Sequence, residues 1–276
     1  MNYSPASLHQ KKQRGISLFI VIIFVMLSML LTLWASRTSL FNELIISNDA
    51  DYQRAFEAAQ ATLQDAELDI RGENSDGSFC TPNDNDGNIC RRTTAEKIPL
   101  EAQEVGTLLA DLSDPSKIPS DSPKCKNGIC IKRADRPDMN DKQDFWNNTD
   151  STKGITLTQM TGVHTGTTIP VGARYGQFTG ASLGDDSNPA SPILRDRSSA
   201  NQGAWYWIEI LPYDDSSKNS GVLVSGTGTG TLVPNNILAL NLTPNIVYRI
   251  TSIAYGRKPN TMVALQQTYA RQKLKD

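Results

Sequence analysis

The chain is short of the residues that most often carry catalysis or hold metals. It has only two histidines, His9 and His164, and four cysteines that are not spaced as C-x-x-C pairs. A zinc site is therefore not expected. The P-loop of nucleotide-binding proteins is also absent. The sequence predicts no catalytic residue, no cofactor and no metal site, and we expect a protein that is not an enzyme.

An excess of charge of either sign is missing as well. The 27 basic and 29 acidic residues leave a formal net charge of -2 at pH 7. A broad nucleic-acid-binding surface needs a large positive excess, because it must neutralise many phosphates. We therefore expect no direct nucleic-acid binding, although a small local basic patch is compatible with this composition.

Charged residues are absent from one long stretch, Ile16 to Ser36. A helix needs roughly 20 apolar residues to cross a bilayer core, so this run is long enough. The hydroxyls of Ser17, Ser28 and Thr32 can bond back to the backbone of their own helix. Because three basic residues precede the run, the positive-inside rule places the N-terminus in the cytoplasm and the rest of the chain outside.

A secretory signal peptide and a plain membrane anchor are the two simplest alternatives. The run is longer than the roughly 7–15 apolar residues of a signal peptide, and Trp34 to Arg37 is a poor cleavage site. A plain anchor usually leads into a polar linker, whereas here apolar positions continue at helical spacing. They are Phe41, Ile45, Tyr52, Phe56, Ala59, Leu63, Ala66 and Ile70, with Asn48 as a polar break. We predict one helix from about residue 16 to residue 70, about 80 Å long, that stops at Gly72.

The start of this helix resembles the processing site of type IV pilins. The stretch from Gly15 to Ile20 reads Gly-Ile-Ser-Leu-Phe-Ile, whereas the family pattern is Gly, usually Phe, then Ser or Thr, Leu, any residue and Glu. The text Arg-Ala-Phe-Glu-Ala-Ala-Gln-Ala at 54–61 and the ending at 248–269 are similar to the PilX group of minor pilins. The resemblance covers about the first 70 residues well, the last 30 more loosely, and the middle of the chain not at all.

The resemblance implies a processing step and a fold. Residues 1–15 would be a leader that prepilin peptidase removes between Gly15 and Ile16, and the same enzyme would methylate the new N-terminus, Ile16. The fold would be an α+β, pilin-like fold. In it, a long helix, 16–70, with a transmembrane half at 16–36 and an amphipathic half beyond it, packs on a C-terminal antiparallel sheet with long loop insertions.

One position departs from the family pattern: Ile20 stands where the glutamate is expected. In a bundle of apolar helices a lone charge is expensive, and the family glutamate pairs with the N-terminal amine of the neighbour nearer the tip. A subunit with Ile20 needs no such neighbour, which leads to the hypothesis that it sits at or near the tip and starts assembly. The alternative is that Ile20 only weakens docking or is compensated elsewhere. In lacking this glutamate the chain is also similar to the tip pseudopilin GspK group of type II secretion.

The four cysteines all follow the apolar run, on its predicted outer side, which is an oxidising place in a bacterial periplasm. An Asn/Gly turn pair shortly precedes the second cysteine of each pair. Four cysteines allow three connectivities, and two local bridges are favoured, Cys80–Cys90 and Cys125–Cys130.

Beyond the long helix we expect a disulfide-containing, loop-rich region over 71–203 and an antiparallel sheet over 204–276. A short helix is predicted over 100–112 and a strand over 155–160, while 180–203 has the composition of a long surface loop. Three strands and an edge hairpin are predicted at 204–211, 246–255, 261–269 and 222–233. The aromatic cluster Trp205-Tyr206-Trp207 is expected to pack in the core against the long helix rather than to stack on a ligand.

Three functional hypotheses remain open from the sequence. The first is a minor pilin that helps to prime and cap a type IV pilus and so supports twitching motility, adhesion or DNA uptake. The second is a minor pseudopilin of type II secretion, and the third is a membrane-anchored periplasmic enzyme or binding domain. The resemblance implies an inner-membrane protein that later joins the fibre. Its partners would be other minor pilins, the major pilin, the inner-membrane assembly platform, prepilin peptidase and, by analogy, a tip adhesin.

Overall fold

The computed structural model describes residues 16–81, 90–91, 98–99, 102–119, 122–131, 144–185, 187–188, 191–212 and 246–270. The chain divides into two compact units, Met1–Ala50 and Asp51–Asp276. The helices are α1 (Ile16–Arg71), α2 (Ala102–Ser113), α3 (Leu157–Met160) and α4 (Pro192–Arg195). The strands are β1 (Cys125–Lys126), β2 (Ile129–Ile131), β3 (Ala173–Arg174), β4 (Ala204–Pro212), β5 (Ile246–Tyr255) and β6 (Met262–Tyr269).

Helix α1 runs for 56 residues because no glycine or proline interrupts it. It ends where Gly72 adopts a left-handed backbone conformation, with φ at 68°. The amide of Gly72 donates to the carbonyl of Asp69, and the amide of Glu73 donates to the carbonyl of Leu68. These two bonds form a Schellman motif, which satisfies carbonyls at the end of the helix. The predicted long helix and its stop at Gly72 are both confirmed.

In the second unit the strands form one sheet in the order β1-β2-β4-β5-β6, and β3 also pairs with β4. β4, β5 and β6 are antiparallel neighbours, as the sequence predicted. β2 runs parallel to β4, with Ile129 opposite Ile208. The sheet is therefore mixed, because residues of the middle region extend the predicted C-terminal strands on one side.

The two faces of the sheet pack against different layers. One face of β4 carries Tyr206, Ile208 and Ile210, which pack in a core with residues of α1 and α2. The α1 and α2 members of this core are Leu63, Ala66, Ile70, Val105, Leu108 and Leu112. This arrangement confirms that the C-terminal part of α1 packs on the sheet.

The opposite face carries Trp205 and Trp207, whose rings stack with centroids 6.4 Å apart. They pack with Phe145, Met160 and the Cys125–Cys130 bridge in a second core. The prediction that the aromatic cluster packs against α1 is therefore correct for Tyr206 and wrong for the two tryptophans. Alternation along a strand sends neighbouring side chains to opposite faces, and both faces are covered here.

Two short-range predictions had different outcomes. The predicted helix over 100–112 appears as α2, with Val105, Leu108 and Leu112 buried. The predicted strand over 155–160 is wrong, because Thr156 caps the short helix α3. Its hydroxyl accepts a hydrogen bond from the amide of Gln159 at 3.3 Å, and its own amide donates to the Gln159 side chain at 2.9 Å. This reciprocal pair is a capping box, which favours a helix start over an extended strand.

Some predictions fall on parts of the chain outside the described residues. They are the leader at 1–15 and the hairpin at 222–233. The stretch 180–203 is described in part, and it contains α4, whose Ile193 is buried.

Candidate assembly site

The first unit presents an apolar helix surface. From Ile16 to Ile46 the large apolar side chains of α1 are exposed, for example Phe19 at 65% and Phe24 at 68%. Among the described residues this is the one helix long and apolar enough to cross a membrane. The hydroxyls of Ser28 and Thr32 donate to the carbonyls three residues earlier, each at 2.9 Å. These two hydroxyls are therefore satisfied within the helix, and the apolar side chains around them offer a surface suited to lipid or to other apolar helices.

The sequence-predicted processing residues lie at the start of this helix. Ile16 is the first residue of α1, and Ile20 follows one turn later, 45% exposed. The first turn of α1 has no acidic residue. Gly15 lies outside the described residues, so cleavage after it and methylation of Ile16 stay predictions.

In the second unit, three buried aspartates of α1 bind loops of the globular fold. The first is Asp51, which is 2% exposed. Its carboxylate accepts hydrogen bonds from the backbone amides of Arg257 at 2.9 Å and Lys258 at 3.0 Å, in the turn between β5 and β6. Burial acts to raise the pKa of Asp51, but these two bonds and a further one from Thr261 outweigh it and lower the pKa.

The second, Asp65, holds the segment that follows β3. It accepts hydrogen bonds from the backbone amide of Gly176 at 2.7 Å and from the hydroxyl of Thr179. Burial raises the pKa of Asp65 to about 6, against the lowering effect of these two bonds, and the nearby Asp69 raises it further. Asp65 therefore titrates closer to neutral pH than an ordinary aspartate.

The third, Asp69, forms a buried ion pair with Arg91, just after the Cys80–Cys90 bridge. The guanidinium of Arg91 donates two hydrogen bonds to the carboxylate, at 2.8 and 2.6 Å, and the phenol of Tyr206 donates a third at 2.8 Å. Both charged side chains are less than 5% exposed. Burial acts to lower the pKa of Arg91, but the charge of Asp69 outweighs it and raises the pKa. Burial raises the pKa of Tyr206, so its hydroxyl stays a donor.

Both disulfides form as the sequence predicted. Cys80 pairs with Cys90, and Cys125 pairs with Cys130 across the β1–β2 hairpin. The second bridge lies in the tryptophan core. Beside it, the Nε2 of His164 donates to the carbonyl oxygen of Cys125 at 2.6 Å. His164 is therefore a buried residue of the fold.

One catalytic motif occurs in the chain without the geometry that it needs. Residues 180–184 read Gly-Ala-Ser-Leu-Gly, which matches the G-x-S-x-G of a nucleophile elbow. That motif requires a turn between a strand and a helix, whereas this stretch has neither element beside its serine. The hydroxyl of Ser182 accepts a hydrogen bond from the amide of Gly184. The described residues also contain no group of three or more side chains that could hold a metal ion.

Comparison with protein families gives two matches along the chain. A model of the PilX N-terminal region matches residues 14–64, and a model described as type IV pilus assembly protein PilX C-term matches residues 126–271. The second match alone spans more than half of the chain. No curated protein and no solved structure matches.

Proposed function

Because this chain belongs to the PilX family of type IV pilus assembly proteins, a family of minor pilins, we propose that it primes pilus assembly and occupies a place at or near the pilus tip. Membership makes it a structural component of the pilus that interacts with other pilins. The single observation that carries the finer proposal is Ile20, an apolar residue at the position of the family glutamate.

The physical reason concerns the N-terminal amine of a neighbouring subunit. In a fibre of packed apolar helices a carboxylate inside the bundle needs a cationic partner, because an unpaired buried charge is unstable. A subunit with glutamate at this position would be stable in the bundle only when paired with the N-terminal amine of a subunit nearer the tip. With Ile20 there is no carboxylate that needs such a partner, so the subunit can occupy the tip of the fibre without a neighbour beyond it.

The same helix supports a route from membrane to fibre. Removal of the leader after Gly15 and methylation of Ile16 would leave a methylated, still cationic N-terminal amine at the head of an exposed apolar surface. Before assembly the protein would cross the inner membrane once, with its C-terminal unit in the periplasm. It would then pass to other minor pilins, the major pilin and the assembly platform, and it could carry a tip adhesin. Twitching motility, adhesion and DNA uptake would follow from the complete pilus.

A type II secretion pseudopilus is the second candidate machine. The chain shares the missing glutamate with the tip pseudopilins of that system. The two matched models are both of the PilX family, and similarity to the GspK group is not shown. The pilus is therefore favoured. A periplasmic enzyme has less support, because both matched models belong to a family of pilus assembly proteins.

The experiment that tests the tip role compares Ile20→Glu with Ile20→Leu as a matched apolar control. Fibres from each strain would be labelled with antibody against the globular unit and counted by immunogold electron microscopy. We expect gold at one fibre end with the natural residue and with Ile20→Leu, and fewer fibres and less end labelling with Ile20→Glu. Unchanged piliation and unchanged end labelling with Ile20→Glu would remove the mechanistic basis of the proposal.

A further inference from the structure

A pocket of about 440 Å³ opens where three segments of the globular unit meet. One wall comes from α4 and Asp196, another from the residues just before β4, and the third from the turn after β5. Its charged and polar lining consists of Arg195, Asp196, Gln202, Tyr255 and Arg257. The pocket is large enough to receive one or two side chains of another molecule.

Two polar groups in this lining are available to a ligand. The hydroxyl of Tyr255, on a half-buried side chain, and the guanidinium of Arg257, on an exposed one, make no hydrogen bond and no ion pair with any part of the chain that the structure describes. Burial raises the pKa of Tyr255 to about 12, although the charge of Arg174 acts to lower it. The phenol is thus neutral and can donate.

Arginines outnumber acidic residues around the pocket, although Asp196 in its wall interacts electrostatically with Arg174 and Arg257. Arg174 and Arg197 have no ion pair with described residues and donate to backbone carbonyls. Arg174 binds those of Ser199 at 2.8 Å and Asp196 at 3.2 Å, and Arg197 binds that of Tyr175 at 2.8 Å. Burial and the charge of Arg197 lower the pKa of Arg174 to about 10. The two guanidinium groups repel each other, and an anion placed near them would reduce this repulsion and be attracted to both.

The position of the pocket within the globular unit points to another subunit as its occupant. Asp51, the first residue of this unit, holds the backbone of Arg257, so the pocket lies at the end where α1 enters the unit. This end is continuous in sequence with the apolar helix that the proposed function places in the fibre, so the partner that the proposed function supplies here is a neighbouring pilin.

We propose that this pocket receives a carboxylate side chain from the globular unit of an adjacent pilin in the fibre, with Arg257 as its ion-pair partner and Tyr255 as a hydrogen-bond donor. Guanidinium is suited to this task, because its planar donors match the two oxygens of a carboxylate. The inference rests on the proposed assembly into a pilus and adds a specific contact to it.

A nucleic acid fits this pocket less well than a single carboxylate does. Asp196 places a negative charge in the wall, where it accepts a hydrogen bond from Ser198 at 2.6 Å. The chain as a whole has a net charge of -2. A polyanion gains affinity by releasing counterions over many contacts, which needs a wide basic surface rather than one concavity.

The test uses zero-length crosslinking of purified fibres that contain the full-length mature protein. Arg257→Lys keeps the positive charge and introduces an amine, which a carbodiimide couples to any carboxylate in direct contact. Arg257→Gln lacks the amine and is the matched control. The natural Lys126, on β1 and separated from β5 by β2 and β4, reports random coupling. Mass spectrometry of the digested fibres identifies the joined peptides.

We expect position 257 in the Arg257→Lys fibres to be joined to an aspartate or glutamate of another pilin, with no such product for Arg257→Gln. Charge reversal by Arg257→Glu should lower incorporation into fibres about tenfold, since a charged hydrogen-bonded contact is lost. Because Arg257 is exposed, the fold should survive, which intact disulfides and an unchanged circular dichroism spectrum would verify.

Three outcomes would overturn the inference. If the protein enters fibres but position 257 couples only to its own Asp196 or to nothing, the inference fails and the proposed function stands. If the full chain in detergent binds a DNA fragment, and Arg257→Gln with Tyr255→Phe weakens that binding, the pocket serves a polyanion. If the protein never enters fibres, the proposed function fails first and the inference fails with it.

Discussion

The hydroxyl of Tyr206 on β4 donates a 2.8 Å hydrogen bond to the carboxylate of Asp69 on α1, across 137 positions of sequence. The same carboxylate receives both donors of Arg91. Helix, sheet and the disulfide-bonded segment after α1 thus meet at one buried charge. This point fixes how α1 packs on the sheet, since an ion pair of this geometry tolerates little displacement.

Removal of Arg91 should expose the dependence of the fold on this ion pair. Arg91→Leu leaves the Asp69 charge buried without its cationic partner, which typically costs about 3–5 kcal/mol of unfolding free energy. The double variant Arg91→Leu with Asp69→Leu should cost less than Arg91→Leu alone, because no charge is left unpaired. Denaturant unfolding of the full chain in detergent micelles, followed by tryptophan fluorescence, measures both. A double variant as unstable as the sum of the two single variants would show that the groups do not interact.

Asp65 should make the globular unit less stable as pH rises from 4 to 7. Its pKa is about 6 in the folded chain, against 3.8 as the ordinary value. The folded state therefore binds more protons than the unfolded state between these values, and stability that is present below pH 4 is lost as pH rises through about 6. The loss from this group is about 2 kcal/mol.

The matched comparison is Asp65→Asn, which keeps the size of the side chain and removes its titration. Unfolding free energies of both proteins would be measured at several pH values in the same micelles. The unfolding free energy of the natural protein minus that of Asp65→Asn should fall as pH rises from 4 to 7, because only the natural protein has the Asp65 carboxyl. Parallel curves from pH 4 to 7 would contradict the assigned pKa.

The two disulfides should differ in their resistance to reduction. Cys125 and Cys130 are 2% and 1% exposed and lie in the tryptophan core, whereas Cys80 is half-buried at the edge of a turn. A reductant must reach a sulfur atom to open the bridge. Under native conditions, mild reductant and an alkylating reagent should therefore label Cys80 and Cys90 first. Peptide mass spectrometry over time gives the order, and earlier labelling of Cys125 and Cys130 would contradict the assigned burial.

Two glycines provide a matched pair of alanine substitutions. A Cβ at Gly256 would clash with a carboxylate oxygen of Asp51, so Gly256→Ala should disturb the hydrogen bonds between Asp51 and the β5–β6 turn. A cost of about 1–3 kcal/mol is expected from such overpacking. Gly106 lies in α2, and a Cβ added there would meet no atom within 4 Å. Gly106→Ala should instead stabilise the helix by about 0.5–1 kcal/mol. Equal effects of the two substitutions on unfolding free energy would contradict these surroundings.

The long helix, the C-terminal strands and both disulfides could be predicted from the sequence, because the signal for each lies in residues that are close together along the chain. An uninterrupted apolar run, β-branched alternation and paired turn residues need no knowledge of distant partners. The predicted buried face of α1 was incomplete, however. Ala59, Leu63, Ala66 and Ile70 are buried as expected, whereas Tyr52 is exposed. A neighbouring row that includes Asp51, Asp65 and Asp69 is buried as well.

That row was missed because aspartate on a helix is usually solvated, and its partners come from segments far along the chain. One signal was present in the residues between the aspartates. Ala55, Ala58 and Thr62 continue the row at helical spacing with short side chains, where a solvent-facing row would more often carry lysine or glutamate. The pairing of β2 with β4 could not be predicted either, since a parallel pairing over this separation leaves no local mark.

The central claim is that this protein is processed at Gly15 and becomes a subunit of the pilus. Mass spectrometry of the protein's N-terminal peptide, recovered from purified and sheared fibres, tests it most directly. We predict a fibre-bound protein that begins at N-methylated Ile16. A protein that keeps Met1, stays in the membrane fraction and is missing from the fibres would contradict the account.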